Sequence, residues 1–233
     1  IMAFNIYREG QKGTFIFNEG KLVKKEIVKA SRGDRPHGTT VSFIPSEKYL
    51  GKCKISLKEL QEWITNISYL IDPGVNLSFH YVKEKSDVMT SIIFKHENGI
   101  KDMLDDFCKK QLVDPIYIDF RGSYKLDDNG DVIFEANSSK SLGNDIIIQA
   151  AFTIEPSVHT DDDDHYKSFC NFIHTIDHGV HVNAVKTAWC QLVTKLTSEA
   201  MSEAEAKKTQ INFEDARSGL YATINIMCDN PQF

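Results

Sequence analysis

Three histidines, His174, His178 and His181, stand at i, i+4 and i+7, with Asp177 beside them and His165 a short way upstream. On a single helix that spacing would align three imidazoles along one face, as a metal site requires. The surroundings work against it: Gly179 falls inside the triplet and Ser168 to Ile173 has a strand pattern, so the histidines straddle a strand-to-helix loop. Asp127-Asp128-Asn129-Gly130-Asp131 fails as a calcium loop, because Lys125 stands where an oxygen ligand is needed and no helices flank the segment. A Gly-containing turn between two strands is the simpler reading. Every cysteine sits in an apolar pattern, as buried structural cysteines do, and the chain has no G-x-S-x-G elbow and neither of the Gly-rich phosphate loops. These residues do not make a self-contained active site.

The elements that would position any chemistry follow from composition and pattern. With 233 residues, 41% hydrophobic and 26% charged, and only 13 Gly and 6 Pro, the chain is a globular α/β or α+β protein, not a disordered or fibrous one. Apolar runs such as Ile146-Ile147-Ile148 fall far short of the roughly 20 residues of a membrane helix. Thirty-three acidic against 27 basic residues, a formal charge of -6, argue against gripping nucleic acid by bulk electrostatics. Five cysteines, scattered singly and never as C-x-x-C, make a disulfide framework or zinc ribbon improbable and fit a reducing, intracellular compartment. The chain opens on Ile1 and stops at Phe233 directly after an apolar strand pattern, which reads as a piece of something longer.

Phe4 to Arg8, Gly13 to Phe17, Leu22 to Val28 and Thr39 to Ile44 are β-rich runs, too little to form a core alone. After Pro45 a helical period appears at Leu57, Leu60, Ile64, Ile67 and Ile71, opened by Ser56 and closed by Pro73-Gly74. Val75 to Val82 and Val88 to Lys95 should pair as a hairpin, and Ile100, Met103, Leu104 and Phe107 mark a second helix. Strands are expected at Ile116 to Phe120, Val132 to Glu135, Asp145 to Ile154 and Lys167 to Phe172. A long helix from Val180 to Lys208 carries Val182, Val185, Trp189, Leu192, Val193, Leu196 and Ala200 as its apolar stripe. A short helix from Phe213 to Ser218, capped by Asn212, leads to the strand Leu220 to Cys228. Trp63 and Trp189 are both expected to be buried, and the acidic run Asp161 to Asp164 to be a solvated loop.

Several of these segments together resemble one family. Ser168 to Val182 is similar to the S-F-x-N-x-I-x-T-x-x-G-G-T-H-[VL] motif of type IIA DNA topoisomerases, and Asp215 to Ile224 with Asn230-Pro231-Gln232-Phe233 resembles their E-D-x-R-E-G-L-x-A-[VI] strand and D-P-x-F ending. Upstream, and in the right order, His37 to Pro45 is similar to G-T-x-V-x-F-x-P, Ser68-Tyr69-Leu70 through Gly74-Val75 to A-F-L-N-x-G-V, and His96 to Ile100 to Y-E-G-G-I. His178 and Val180 depart from the G-G-T-H turn, replacing its first Gly and its Thr. The long Gly122 to Asn144 connection points to a divergent, bacteriophage-like member.

The resemblance implies an α+β chain in two parts. Residues 1–48 would be the last strands of a GHKL-type ATPase domain, and 49–233 a transducer domain with the ribosomal-protein-S5-domain-2-like fold. It implies that Gly38 and Thr39 touch nucleotide, the Thr39 hydroxyl joining the network that reads adenine, and that Lys186 and Lys195 on the long helix face DNA. Nine residues apart, those lysines are half a turn out of phase and form no single basic stripe. The implied cofactors are ATP and Mg in the intact enzyme, with none held by this stretch alone, because the family's metal-binding and lid motifs are not in it. The implied partners are double-stranded DNA, bound weakly and with steep salt dependence, and other topoisomerase subunits in a dimer, in the cytoplasm or a nucleus. Two rivals stay open: a non-enzymatic S5-like module that binds nucleic acid or protein, and a metal-dependent enzyme built on the histidines.

Overall fold

Short β-rich runs separated by Gly-bearing turns make strands of the first 43 residues. The structure, a computed structural model, describes residues 1–52, 55–83, 86–129, 132–136, 143–156, 165–176, 179–201, 212–229 and 231. They form two compact units, Ile1–Leu57 and Lys58–Phe233.

In the first unit β1 (Met2–Arg8), β2 (Gln11–Asn18), β3 (Lys21–Lys29) and β4 (Gly38–Phe43) form an antiparallel sheet in the order β3-β2-β1-β4. The two-residue turns Glu9-Gly10 and Glu19-Gly20 have positive φ at both positions, the primed geometry whose twist suits a hairpin. Register places Met2 opposite Phe17 and Phe43, and Phe4 opposite Phe15 and Val41, so one face of the sheet is apolar. Gly13 is the one buried residue among those described in this unit, which matches the expectation that four strands make no core alone. The helical turn α1 (Glu47–Leu50) follows.

The second unit opens with α2 (Leu57–Leu70) and the hairpin β5 (Leu77–Val82) with β6 (Met89–Phe94), then α3 (Ile100–Phe107). Next come β7 (Ile116–Leu126), β8 (Val132–Ala136), β9 (Asn144–Ile154), β10 (Tyr166–Cys170) and β11 (Ile173–His174). The helices α4 (Gly179–Ala200) and α5 (Phe213–Arg217) precede β12 (Leu220–Cys228). Six strands form one sheet in the order β11-β10-β12-β9-β7-β8, with β10 and β12 parallel and the other pairs antiparallel. As the sequence predicts, Asn212 caps α5: its Oδ1 accepts the Asp215 amide at 2.7 Å. An Asx turn at Asp127 to Asn129 begins the β7–β8 connection; Gly130 and Asp131 lie outside the described residues, as does the Asp161 to Asp164 run.

The sheet is covered on both faces. On one, Val182 of α4 packs with Tyr166, Ala150, Phe152, Leu220, Ala222 and Ile224; on the other, α3 and the end of α2 bring Ile100, Met103, Leu104, Tyr69 and Leu70 onto Ala151 and Phe169. Two expectations need correction. Trp63 is 58% exposed, because it sits about 60° around α2 from the Leu60 row and turns to solvent. The apolar stripe of α4 is buried over its first turns only: Val182 and Cys190 are inside, whereas Leu192 and Leu196 are exposed. Helix α4 is described to Ala200, and the predicted continuation to Lys208 lies outside the described residues.

Trp189 is half-buried. Its ring packs near Phe152 and its indole N–H donates to the Ala216 carbonyl at 2.8 Å. Trp189→Ala is expected to destabilise by about 3 kcal/mol, the low end for a Trp truncation because part of the ring is already solvated. Urea unfolding followed by circular dichroism checks this, and a wild-type midpoint would contradict the packing of α4 described here.

Candidate nucleotide and DNA contact residues

Gly38 and Thr39 begin β4, where Gly38 pairs with Tyr7 and Thr39 with Ile6. Gly38 has φ +125°, a region that L side chains rarely enter, and a Cβ there would meet the Arg35 side chain at 3.3 Å. Arg35 sits over the Tyr7 ring and donates to the Thr40 hydroxyl. Alternation sends the two threonines to opposite faces: Thr40 lies with Asn5 and Thr14, whose side chains hydrogen-bond at 3.0 Å, and Thr39 lies with Ile6 on the apolar face. Thr39 is exposed and its hydroxyl has no hydrogen-bond partner among the described residues. At the other end of β4 an apolar cavity of about 890 Å³ is lined by Met2, Phe4, Phe17, Phe43, Ile44 and Tyr49; neither Gly38 nor Thr39 lines it.

On α4 the two lysines part company. Lys195 is exposed, its ammonium 4.0 Å from Glu199 one turn on. Lys186 is only 8% exposed, and its ammonium lies 4.2 Å from the Tyr166 ring centroid. That corrects the expectation for Lys186: it falls on the buried row with Val182 and Cys190, the long aliphatic stem packs inward, and the charge rests on an aromatic face instead of facing a duplex.

The histidines also separate. His174 lies on β11 near the Phe169 ring, His181 is in the first turn of α4 with Nε2 3.5 Å from the Thr175 hydroxyl, and His178 lies outside the described residues. Among the described residues no three potential metal ligands come together.

The structure gives the sequence motifs a physical content. Asn171 takes φ +49° in the turn after β10 and binds the backbone of Cys228 twice, Nδ2 donating to its carbonyl at 2.9 Å and Oδ1 accepting its amide at 3.0 Å. Ser168 accepts the Thr175 amide on its carbonyl at 2.9 Å, and the two hydroxyls are hydrogen-bonded. Burial pushes the Cys170 thiol up to about 11, with Cys228 beside it, which suits a packing residue rather than a nucleophile. The Tyr69 and His96 segments, far apart in sequence, meet: their rings lie 3.7 Å apart, and the Tyr69 hydroxyl donates to Asp106 at 2.5 Å. Burial and that carboxylate raise the Tyr69 phenol, and burial lowers His96. Gly99, at φ +58°, lies so close to the Tyr69 carbonyl that a Cβ would stand 3.2 Å from it.

Residues 99–233 match the family model for DNA gyrase B. The chain is 27% identical over 237 residues to the DNA gyrase B protein of Thermotoga maritima, covering 100% of this chain and 33% of that protein. It is 24% identical to the DNA gyrase B protein of Mycoplasma pneumoniae, covering 98% of this chain and 33% of the relative. The chain thus spans about a third of the length of these curated relatives. Among solved structures it shares the fold of the 43K ATPase domain of Thermus thermophilus gyrase B, crystallised with an aminocoumarin, at TM-score 0.67 and 19% identity, covering 100% of this chain and 56% of that one. The gyrase B protein of Myxococcus xanthus aligns at TM-score 0.66 and 18% identity, over 97% of this chain and 56% of that chain.

Proposed function

Since the chain belongs to the DNA gyrase B family, we propose that it works within an ATP-dependent type II DNA topoisomerase, coupling nucleotide binding and hydrolysis to the passage of one duplex through another. The observation that carries this is the family match over residues 99–233, which include α4, its supporting sheet and the strand after it. The division proposed is residues 1–48 as terminal strands of a GHKL ATPase domain and 49–233 as an S5-like transducer. The partners proposed are double-stranded DNA and further topoisomerase subunits in a dimer, inside the cell. No described helix is long and apolar enough to cross a membrane.

The residues present fit one edge of a nucleotide. Gly38, without a side chain, lets a ligand approach the backbone closely, and the exposed Thr39 hydroxyl can exchange one hydrogen bond with a base. ATP with Mg, when bound to the intact enzyme, supplies the free energy of phosphoryl transfer to water. The described residues hold no cluster of three ligands for such a metal. The part assigned to this chain is mechanical. The first turns of α4 are fixed to the sheet by Val182, Lys186 and Cys190, and the exposed second half, with Lys195 outward, extends as a lever whose far end moves more than its anchor. Lys195 is the DNA-facing residue this reading retains.

In the 233-residue chain alone, Gly38 and Thr39 are expected not to hold ATP with micromolar affinity. One hydrogen bond from Thr39 contributes about 0.5–1.5 kcal/mol, against the roughly 8 kcal/mol of a micromolar complex. Calorimetric titration checks it: saturable micromolar binding that Thr39→Ala abolishes would show a complete nucleotide site around β4 and overturn the assignment. In a polypeptide extended to the length of its relatives, Thr39→Ala should weaken ATP binding without lowering the melting temperature.

A further inference from the structure

The second unit contains a polar row that its core does not need. Register sets Asn225 of β12 opposite Gln149 of β9, and Gln149 opposite Asp119 of β7, so three polar side chains cross the sheet on the face that α3 covers. The contacts lengthen along the row: Asn225 to Gln149 is 3.2 Å, Gln149 to Asp119 3.4 Å and to the Tyr117 hydroxyl 3.5 Å, and Arg121 Nε stands 3.8 Å from Asp119. Asn225 is fully buried and its Oδ1 has no hydrogen-bond partner among the described residues.

Gln149, Asp119, Tyr117 and Arg121 line a cavity of about 660 Å³, closed on the other side by Tyr69 to Pro73 and by Glu97 to Lys101. That volume lies within the range of small-molecule sites. Its charges are unequal in availability. Glu97 is engaged by Lys95 at 2.9 Å and Asp72 accepts the Gly74 amide at 2.7 Å, whereas Lys101 has no ion pair among the described residues and Arg121 is held only loosely. Phe172 and Met227 supply apolar walls, and Phe172 is aimed by a backbone turn at φ +68° next to the Asn171–Cys228 clasp.

We propose that this cavity binds a nucleoside phosphate. Gln149 and Asp119 spend their donor and acceptors on contacts of 3.2–3.5 Å with Asn225, Tyr117 and each other, which a heterocycle bearing an exocyclic amine beside a ring nitrogen, the edge that Asn and Gln read on adenine, would replace. The flat ring lies between Phe172 and Met227, and Arg121 with Lys101 takes the phosphate. The site lies wholly within the second unit and uses neither Gly38 nor Thr39.

The test is to titrate AMP, GMP, CMP and UMP, and inorganic phosphate as a control, into the isotope-labelled chain and follow amide shifts by NMR. AMP is expected to saturate, with shifts confined to β7, β9, β12 and residues 97–101. Gln149→Met and Arg121→Ala should each weaken it about tenfold, the loss of one good polar contact. The Arg121 side chain is largely exposed, so that variant keeps the fold even if Gln149→Met does not. Thr39→Ala should change nothing here, which separates this site from the proposed ATP contact. Absence of saturation with all four nucleotides, equal displacement by phosphate alone, or binding indifferent to Arg121→Ala would each overturn the proposal.

Discussion

Phe169→Ala is expected to cost the chain about 3–5 kcal/mol, a large share of the roughly 5–15 kcal/mol that holds an ordinary domain folded. Phe169 is among the largest fully buried side chains, enclosed by Tyr69, Leu70, Ile100, Met103, Leu104 and Ala151. Its neighbours come from two helices and the central sheet, so no single element can relax into the space that truncation leaves. Chemical denaturation with two probes, far-UV circular dichroism and Tyr fluorescence, measures it. A loss near ~1 kcal/mol, well below the usual range for such a truncation, would mean that α3 follows the sheet inward and that the contact between them is adjustable.

A comparably large effect is expected at the root of α4. Val182 is fully buried against the sheet, and Val182→Asp desolvates a carboxylate there, a cost that Lys186 one turn on offsets only in part; the variant is expected to destabilise by about 3–5 kcal/mol. Leu196→Asp, about four turns on and exposed, should stay within about 0.5 kcal/mol of the parent. The pair of variants divides the helix into an anchored and a free part. Equal losses at the two positions would show the distal half packed in solution and remove the lever from the proposed mechanism.

Part of this fold is legible in the residues themselves. The first four strands follow from β-rich runs and the Gly-bearing turns between them, and α3 from Ile100, Met103 and Leu104, all of them buried. What local pattern cannot say is which side of an apolar stripe meets a partner: Trp63 and Leu196 carry the same signal as Ile100 and end in solvent. Lys186 misleads because a charge suggests a surface, although its four-carbon stem packs as well as Met. The row of Asn225, Gln149 and Asp119 is invisible to local pattern because it spans three strands whose pairing is non-local. A trace of it is present, since Asn225 interrupts an otherwise apolar run in Leu220 to Cys228. Gly38 and Thr39 rest on motif alone, and their geometry leaves a nucleotide role as a proposal.

The position of β12 has a consequence for synthesis. It is the last strand described, yet it lies inside the sheet, between β10 and β9, joining Leu220 to Ile154 and Cys228 to Ile146 across more than half a hundred residues of intervening chain. Until those residues leave the ribosome, β9 and β10 present two bare hydrogen-bonding edges, and closing so long a loop is slow compared with the microsecond hairpins of β1 to β3. A nascent chain stalled before Leu220 is therefore expected to be a chaperone client that aggregates through those edges, while release of nine more residues turns it into a soluble, protease-resistant body.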